Sequence, residues 1–511
     1  MNLRMKDPTV TARSPLSLRL EAIWNIDPSA EAIEFKGYSY TWGQLRTLAL
    51  SVDAALTAAG IGQGAPVGML FRNRPGIAAS VIGLLISGRS IVSINPFYAD
   101  DTLADEIRTL KLAALIGDEA DWKRNDVAAA AVESGALGVS IHPASNTLTT
   151  IPETTGRTNR SHREMPSGIA LEILTSGTTG KPKRLQAKYS ALADAILSSV
   201  RDDGPEGAPK LRRGNTIVPA PLVHVSGVFS VLLSFCEGRS IVLLEKFDVA
   251  EWADAIFRHK IKFASVPPTA MRMILDANVP RQKLASLIAV RSGTAPLTAE
   301  TQRRFEETYG VPVLIQYSAT EWLGGIAGWT IEEHRKHMPA KLGSVGRAQP
   351  GTLLRVIDPG TGEEVPRGET GILEVLPQKR LGPEATWNRT TDLASMDTDG
   401  FLYIIGRADD VIIRGGFKIS MPAVAEVVNQ HPAVKDASVL GMPDSRLGEV
   451  PVCAVELRPG AAVPTEADLE AFCRSQLLPY QVPVKFRIVD ALPRTVSMKV
   501  DRPAVRALFS A

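Results

Sequence analysis

The sequence predicts an α/β protein in which a large N-terminal unit of α/β subdomains, with mostly parallel sheets, precedes a small α+β unit at the C-terminus. Three observations predict it. Helix-period and strand-period runs alternate through the first half, which argues parallel sheets covered by helices. From about residue 400 the pattern changes to short strand-like runs interleaved with two helices. The length, 511 residues, exceeds the size at which a single core stops growing.

Thr41-Trp42-Gly43-Gln44 forms a capping-box signal ahead of the periodic run LRTLALSVDAALTAAG, and Gly60 stands where a helix would stop. PVGMLF follows as a buried strand. Pro75 then opens, and Gly88 closes, a helix over PGIAASVIGLLISG, and IVSIN is a second strand. The same texture returns later, with NTIVPAP and SIVLLEKF as strands and DVAEWADAIFRHK as an amphipathic helix. Segments 153–167 and 201–214 are polar and bear Gly or Pro, so they are expected as loops. In the C-terminal part FLYIIGR, DVIIRGGFKIS, ASVLGMP and PVCAVELRPG are strands. Pro422 starts one helix there, and Thr465 with Asp468 starts the other. The cluster Gly406-Arg407-Ala408-Asp409-Asp410 marks a junction between residues 1–405 and 411–511.

Composition narrows the function classes. A balance of 57 basic and 55 acidic residues gives no field that favours nucleic acid or an anionic membrane, so small-molecule chemistry is expected. Cys236, Cys453 and Cys473 lie far apart, without metal or redox spacing, which fits a reducing compartment. The N-terminal stretch has no continuous apolar segment of the secretory kind. Runs such as IAASVIGLLISG and VFSVLLSF fall short of the roughly 20 residues that span a bilayer. A cytoplasmic protein with no membrane span is expected.

The most informative stretch is Thr175-Ser176-Gly177-Thr178-Thr179-Gly180-Lys181-Pro182-Lys183. Its two glycines allow close backbone approach, its hydroxyls donate hydrogen bonds, and its two lysines offset phosphate charge. The glycine spacing excludes a Walker A loop, so this is a phosphate clamp of another kind. Further along, Gln316-Tyr317-Ser318-Ala319-Thr320-Glu321 follows the strand-like VPVLI, which places Thr320 and Glu321 at a strand's carboxyl end, where open α/β sheets hold ligands. Gly293-Thr294-Ala295-Pro296 is a tight turn after LIAV. Asp392 offers a carboxylate to ribose hydroxyls, with Arg407 as its complement, and Lys499 is a lone lysine near the C-terminus.

In their order along the chain, TSGTTGKPK, PLVHVSG, GTAPL, YSATE, TTD, GRADDVIIRGG and the terminal SMK resemble the motifs of the adenylate-forming superfamily. That superfamily comprises acyl-CoA synthetases, firefly luciferase and peptide-synthetase adenylation domains, and this chain is most similar to the acid–CoA ligase branch. The likeness runs from roughly residue 40 to 505. It implies that ATP activates a carboxylate as an acyl-adenylate and that pyrophosphate leaves. By motif, Thr175 to Lys183 hold the β and γ phosphates, Thr320 binds the α-phosphate and Glu321 holds Mg²⁺. Tyr317 stacks on adenine against the wall Gly293–Pro296, with Ser318 beside it, while Asp392 and Arg407 serve the ribose. Lys499 bridges the carboxylate and the α-phosphate. The resemblance further implies a mobile C-terminal domain turning at Asp409, with Gly415 and Gly416 lining the pantetheine tunnel for coenzyme A.

Met498 stands where the family usually has Gly, Ser318 replaces the Gly of YGxTE, and Gly64-Ala65-Pro66 lacks an early Asp. In PLVHVSG, His224 occupies roughly the place where amino-acid-activating relatives carry Asp, which disfavours an α-amino acid. It is either a substrate-side gate or a packed core histidine. Apolar neighbours Val223, Val225, Val228, Phe229, Trp322, Leu323 and Ile326, with room at Gly324-Gly325, point to an aliphatic, alicyclic or aryl acid. Coenzyme A is the expected acceptor. The alternatives are an amide ligase that passes the adenylate to an amine and, from Met498 and Ser318 alone, a catalytically idle nucleotide-binding regulator. His334 and His337 share a helix but lack a third metal ligand, and His142, His162, His259 and His431 carry no signal. The oligomeric state is open.

Overall fold

The computed structural model describes residues 13–142, 147–155, 162–175, 183–200, 208–319, 322, 324–377, 386–415, 417–495 and 499–510. The chain divides into two compact units, one holding residues up to Ser265 with Ala277–Ile288, the other Val266–Asp276 with Ala289–Ala511. The expected junction at 406–410 lies inside the second.

In the first unit seven strands form one sheet, in the spatial order Thr147–Thr150, Leu137–His142, Ala114–Asp118, Pro66–Leu70, Ser90–Ile94, Ile169–Thr175 and Lys183–Lys188. The four inner pairings are parallel and both outer ones antiparallel. Pro66–Leu70 and Ser90–Ile94 are buried along their whole length, which is why they read as apolar runs without alternation. A second sheet runs Thr216–Val218, Ile241–Leu243, Glu31–Phe35, Tyr38–Thr41.

The predicted helix signals act as expected. Thr41 Oγ1 accepts from the Gln44 amide at 3.2 Å and Gln44 Oε1 accepts from the Thr41 amide at 2.8 Å, so both ends of the capping box form at Trp42–Ala58. Pro75 opens Pro75–Ile86, and Asp248 caps Val249–His259. Among the described residues, no helix is long and apolar enough to cross a membrane.

In the second unit Ala289–Ser292 and Val313–Ala319 pair in parallel, and Gly324–Gly328 and Arg347–Ala348 continue antiparallel. A four-stranded antiparallel sheet follows, Leu353–Ile357, Thr370–Leu376, Asn388–Met396 and Leu402–Arg407, of which the sequence pattern had revealed only the last strand. Beyond it, Val411–Arg414 and Phe417–Ser420 form a hairpin, and the long pair Val434–Asp444 and Gly448–Leu457 packs beneath the helices Met421–Asn429 and Glu466–Arg474. This is the expected α+β arrangement.

Candidate active site

The phosphate-clamp candidate is held by its base. Thr175 and Lys183 are register partners on antiparallel strands, so the backbone leaves the sheet and re-enters it at one point. Beneath, the buried Glu172 accepts from Arg163 at 2.7 Å and from Gln186 at 2.8 Å, while Arg184 reaches the Ser93 carbonyl at 3.0 Å. Burial pushes the Glu172 pKa up, but the hydrogen bonds from Arg163 and Gln186 and the two guanidinium charges outweigh it and leave it low. A charged, hydrogen-bonded floor of this kind fixes the hairpin. Ser176, Gly177, Thr178, Thr179, Gly180 and Lys181 lie outside the described residues, as do the side chains of Thr175 and Lys183.

In the same unit, His224 is the N-cap residue of Val225–Cys236 and is half-buried. The loop before it is stitched down by Asn73, which the sequence reading missed. Asn73 Nδ2 donates to the carbonyls of Ala220 at 3.1 Å and Leu244 at 2.8 Å, and its Oδ1 accepts from the Leu222 amide at 2.7 Å. A Cβ on Gly227 would stand 2.2 Å from the Pro221 carbonyl oxygen, so the tight return of PLVHVSG requires glycine there. Val223 and Val228 are buried, whereas Val225 and Phe229 are half-exposed.

The second unit assembles the nucleoside candidates. Ser292 lies beside Ile315 in parallel register, so the turn Gly293–Pro296 leaves its strand next to Gln316 and Tyr317. A Cβ on Gly293 would come within 2.8 Å of the Gln316 carbonyl oxygen. Thr294 adopts φ +69°, an unfavourable left-handed conformation for a β-branched residue, and strained backbone of this kind clusters at ligand sites. The Tyr317 hydroxyl donates to the Asp392 carboxylate. Asp392 sits directly opposite Arg407 on the neighbouring strand, and Arg407 Nη2 donates to Thr391 Oγ1 at 2.6 Å. Lys499 follows a turn in which its carbonyl accepts from the Thr495 amide at 2.8 Å and Arg494 bridges to Val500. Burial, and then the nearby Arg407 charge, lower the pKa of its ammonium. Tyr317, Asp392 and Arg407 therefore follow one another across neighbouring strands, and Lys499 lies within reach of the Arg407 charge.

Known proteins match this chain. The model of the family described as AMP-binding enzyme covers residues 20–376, and that of the AMP-binding enzyme C-terminal domain covers 423–499. The chain belongs to the AMP-binding enzyme family. Among its relatives, the probable CoA ligase CCL9 of Humulus lupulus is 30% identical, covering 93% of this chain and 92% of that protein. 4-Coumarate–CoA ligase 3 of Oryza sativa subsp. japonica is 27% identical, with 93% and 88% covered. Among solved structures, the amide bond synthetase McbA from Marinactinospora thermotolerans superposes with a TM-score of 0.76 at 26% identity, over 97% of this chain and all of that one. Within the adenylate-forming superfamily the chain stands near the CoA ligase branch.

For an AMP-binding enzyme, the remaining candidates divide as follows. Ser318 is exposed and pairs with Gly325, while Thr320, Glu321 and Leu323 lie outside the described residues. Trp322 and Tyr317 pack on a core that contains Ile326, which is therefore a core residue rather than an open pocket wall. Asp409 lies in the turn Ala408–Asp410, and its side chain is outside the described set. Gly415 takes φ +55° at an exposed turn, as a hairpin tip demands, and Gly416 is not described. His334 bonds to Glu306 at 2.8 Å and His337 stands edge-on to Phe401, so both have structural roles. Among the described residues no cluster of three His, Cys, Asp or Glu could hold a metal.

Asp392→Asn tests the nucleoside assignment. Loss of a charge-assisted hydrogen bond of about 1.5–3 kcal/mol is expected to raise the KM for ATP by roughly ten- to a hundredfold. Steady-state kinetics with ATP and acid varied separately would show it, and an unchanged KM for ATP would remove Asp392 from the ribose site.

Proposed function

We propose that this AMP-binding enzyme is an AMP-forming acid–CoA ligase acting on a hydrophobic aliphatic, alicyclic or aryl carboxylic acid. The observation that carries the reading is the row Tyr317–Asp392–Arg407, in which groups suited to adenine and ribose follow one another, with Lys499 near enough to feel the Arg407 charge. A carboxylate is a poor acylating agent because its leaving group would be oxide. Its oxygen attacks the α-phosphorus of ATP, the bond to the bridging oxygen breaks, and pyrophosphate leaves. Positioning and charge neutralisation then carry most of the catalysis. Lys499 supplies a cation between the carboxylate and the α-phosphate, Thr320 a hydroxyl to the latter, and the Thr175–Lys183 loop takes the departing phosphates. Mg²⁺, a hard cation suited to phosphate and the Glu321 carboxylate, neutralises phosphate charge when bound.

In the second half-reaction the CoA sulfur attacks the acyl carbon and AMP leaves. Lys499 must vacate the nucleophile's approach, and a turn at Asp409 between residues 1–405 and 411–511 provides this, bringing Gly415 and Gly416 to the pantetheine arm. His224, at the N-cap of Val225–Cys236 and between Val223 and Val225, serves the acid side. Three free, buried cysteines suit the cytoplasm.

The likeness to an amide bond synthetase supports one other reading, transfer of the same adenylate to an amine. Competition decides between them. The enzyme is given ATP, Mg²⁺ and hexanoate, cyclohexanecarboxylate, benzoate or cinnamate, with CoA and an amine together, and the products are weighed. Thioester is expected, and amide formed while CoA is ignored would overturn the ligase assignment.

A further inference from the structure

The segment Val266–Asp276 belongs to the second compact unit, although the residues on both sides of it belong to the first. Its helix, Pro268–Asp276, places two charged side chains on the C-terminal part of that unit. Arg272 Nη2 lies 3.4 Å from Asp436 Oδ2, and Asp276 Oδ1 lies 3.7 Å from Arg458 Nη1. The Tyr309 hydroxyl, donating to the Ile274 carbonyl at 3.1 Å, ties the helix to its own neighbour Ala299–Tyr309.

Asp436 is the pivotal residue. It is only 6% exposed, and the same Oδ2 that faces Arg272 also accepts from Arg494 at 2.5 Å. Arg494 bridges across its turn to Val500, the residue after Lys499. An unbroken line of contacts thus runs from the helix through Asp436 and Arg494 to the turn that presents Lys499.

We propose that Arg272 and Asp276 are positioning residues that latch the Lys499 turn beside Arg407 for the adenylation half-reaction. The assignment of that half-reaction rests on the ligase reading above. The strengths suit a latch that must open. Arg272, Asp276 and Arg458 are each about a third to two-fifths exposed, and such pairs bias an equilibrium only a few-fold apiece. Two together hold one arrangement without preventing the rotation that thioester formation needs.

The test uses the full chain and reads Lys499 directly. Lysines are acetylated with acetic anhydride across a pH series, and the labelling midpoint of the Lys499 peptide is followed by mass spectrometry. In R272A/D276A this midpoint is expected to rise toward that of an ordinary lysine as Lys499 loses its burial and, with it, the nearby Arg407 charge. Pyrophosphate exchange with whichever of the four acids the wild type accepts is expected to fall roughly fivefold. The charge swap D276R/R458D is expected to keep the wild-type midpoint where D276R alone loses it, which separates the latch from general damage to the fold. Capture of CoA by a ready-made acyl-adenylate stays unchanged. An unmoved midpoint in R272A/D276A overturns the latch, as does a moved midpoint with unaltered exchange. If the wild type exchanges pyrophosphate with none of the acids, the ligase reading fails while the midpoint still judges the latch.

Discussion

Replacing Lys499 by alanine is expected to lower ATP–pyrophosphate exchange by on the order of 10² to 10³, the usual cost of losing one preorganised charge at a reacting centre. The structure gives reasons to weight this lysine over the others. It is half-buried, its turn is closed by the Thr495–Lys499 backbone bond, and it lies close enough to Arg407 to feel that charge. A surface lysine would have none of these. The sign of its pKa shift makes a second reading available. Burial and Arg407 lower the pKa, so an activity that needs the ammonium is present at lower pH and lost as pH rises past a value below the ordinary lysine range. Exchange should therefore show an early alkaline limb. Arg407→Gln removes one of the two causes, so its limb should move upward even as its ATP binding weakens. Robust wild-type exchange that vanishes in Lys499→Ala would sink the idle-regulator reading, and robust exchange retained in Lys499→Ala would assign the chemistry elsewhere.

What the sequence made legible is what a few neighbouring residues determine. Thr41 with Gln44 starts a helix by bonding groups three positions away and Pro75 starts one through its fixed φ, and the structure forms both as read. In the sheet from Leu353 to Arg407, the three strands before Leu402 had no such signature. The strand Asn388–Met396 mixes exposed and buried positions irregularly, and the register shifts on both of its sides, between Ile372 and Glu374 and between Leu393 and Ala394. A period-2 pattern does not survive such bulges. The site divides along the same line. Tyr317, Asp392, Arg407 and Lys499 were legible as short motifs, although the union of the first three in one row depends on cross-strand register. Asn73 and Arg272 were not, since their partners lie roughly 150 residues further along the chain, where no spacing rule reaches.

Asn73→Ala is expected to be the most damaging substitution away from the reacting groups. One amide here satisfies three backbone groups from two separate stretches, the Ala220 and Leu244 carbonyls and the Leu222 amide, and Asn73 is only 5% exposed. Alanine leaves all three without this partner. At about 1–3 kcal/mol for each buried group that finds no substitute, a loss of roughly 3 kcal/mol is reasonable, readable as a fall in the urea midpoint. The functional cost should fall on the acid. Leu222 precedes Val223 and His224, so freeing its amide loosens the apolar loop, while the phosphate-clamp hairpin keeps its own floor at Glu172. The KM for the acid should rise more than that for ATP. Asn73→Asp separates hydrogen bonding from packing. A carboxylate of the same size can still accept from Leu222, but it cannot donate to either carbonyl and sets a negative charge against both. If packing dominates, Asp should be milder than Ala. If the bonds dominate, as this geometry requires, Asp should be at least as destabilising, and the gap should close as pH falls and the carboxyl gains a proton to donate.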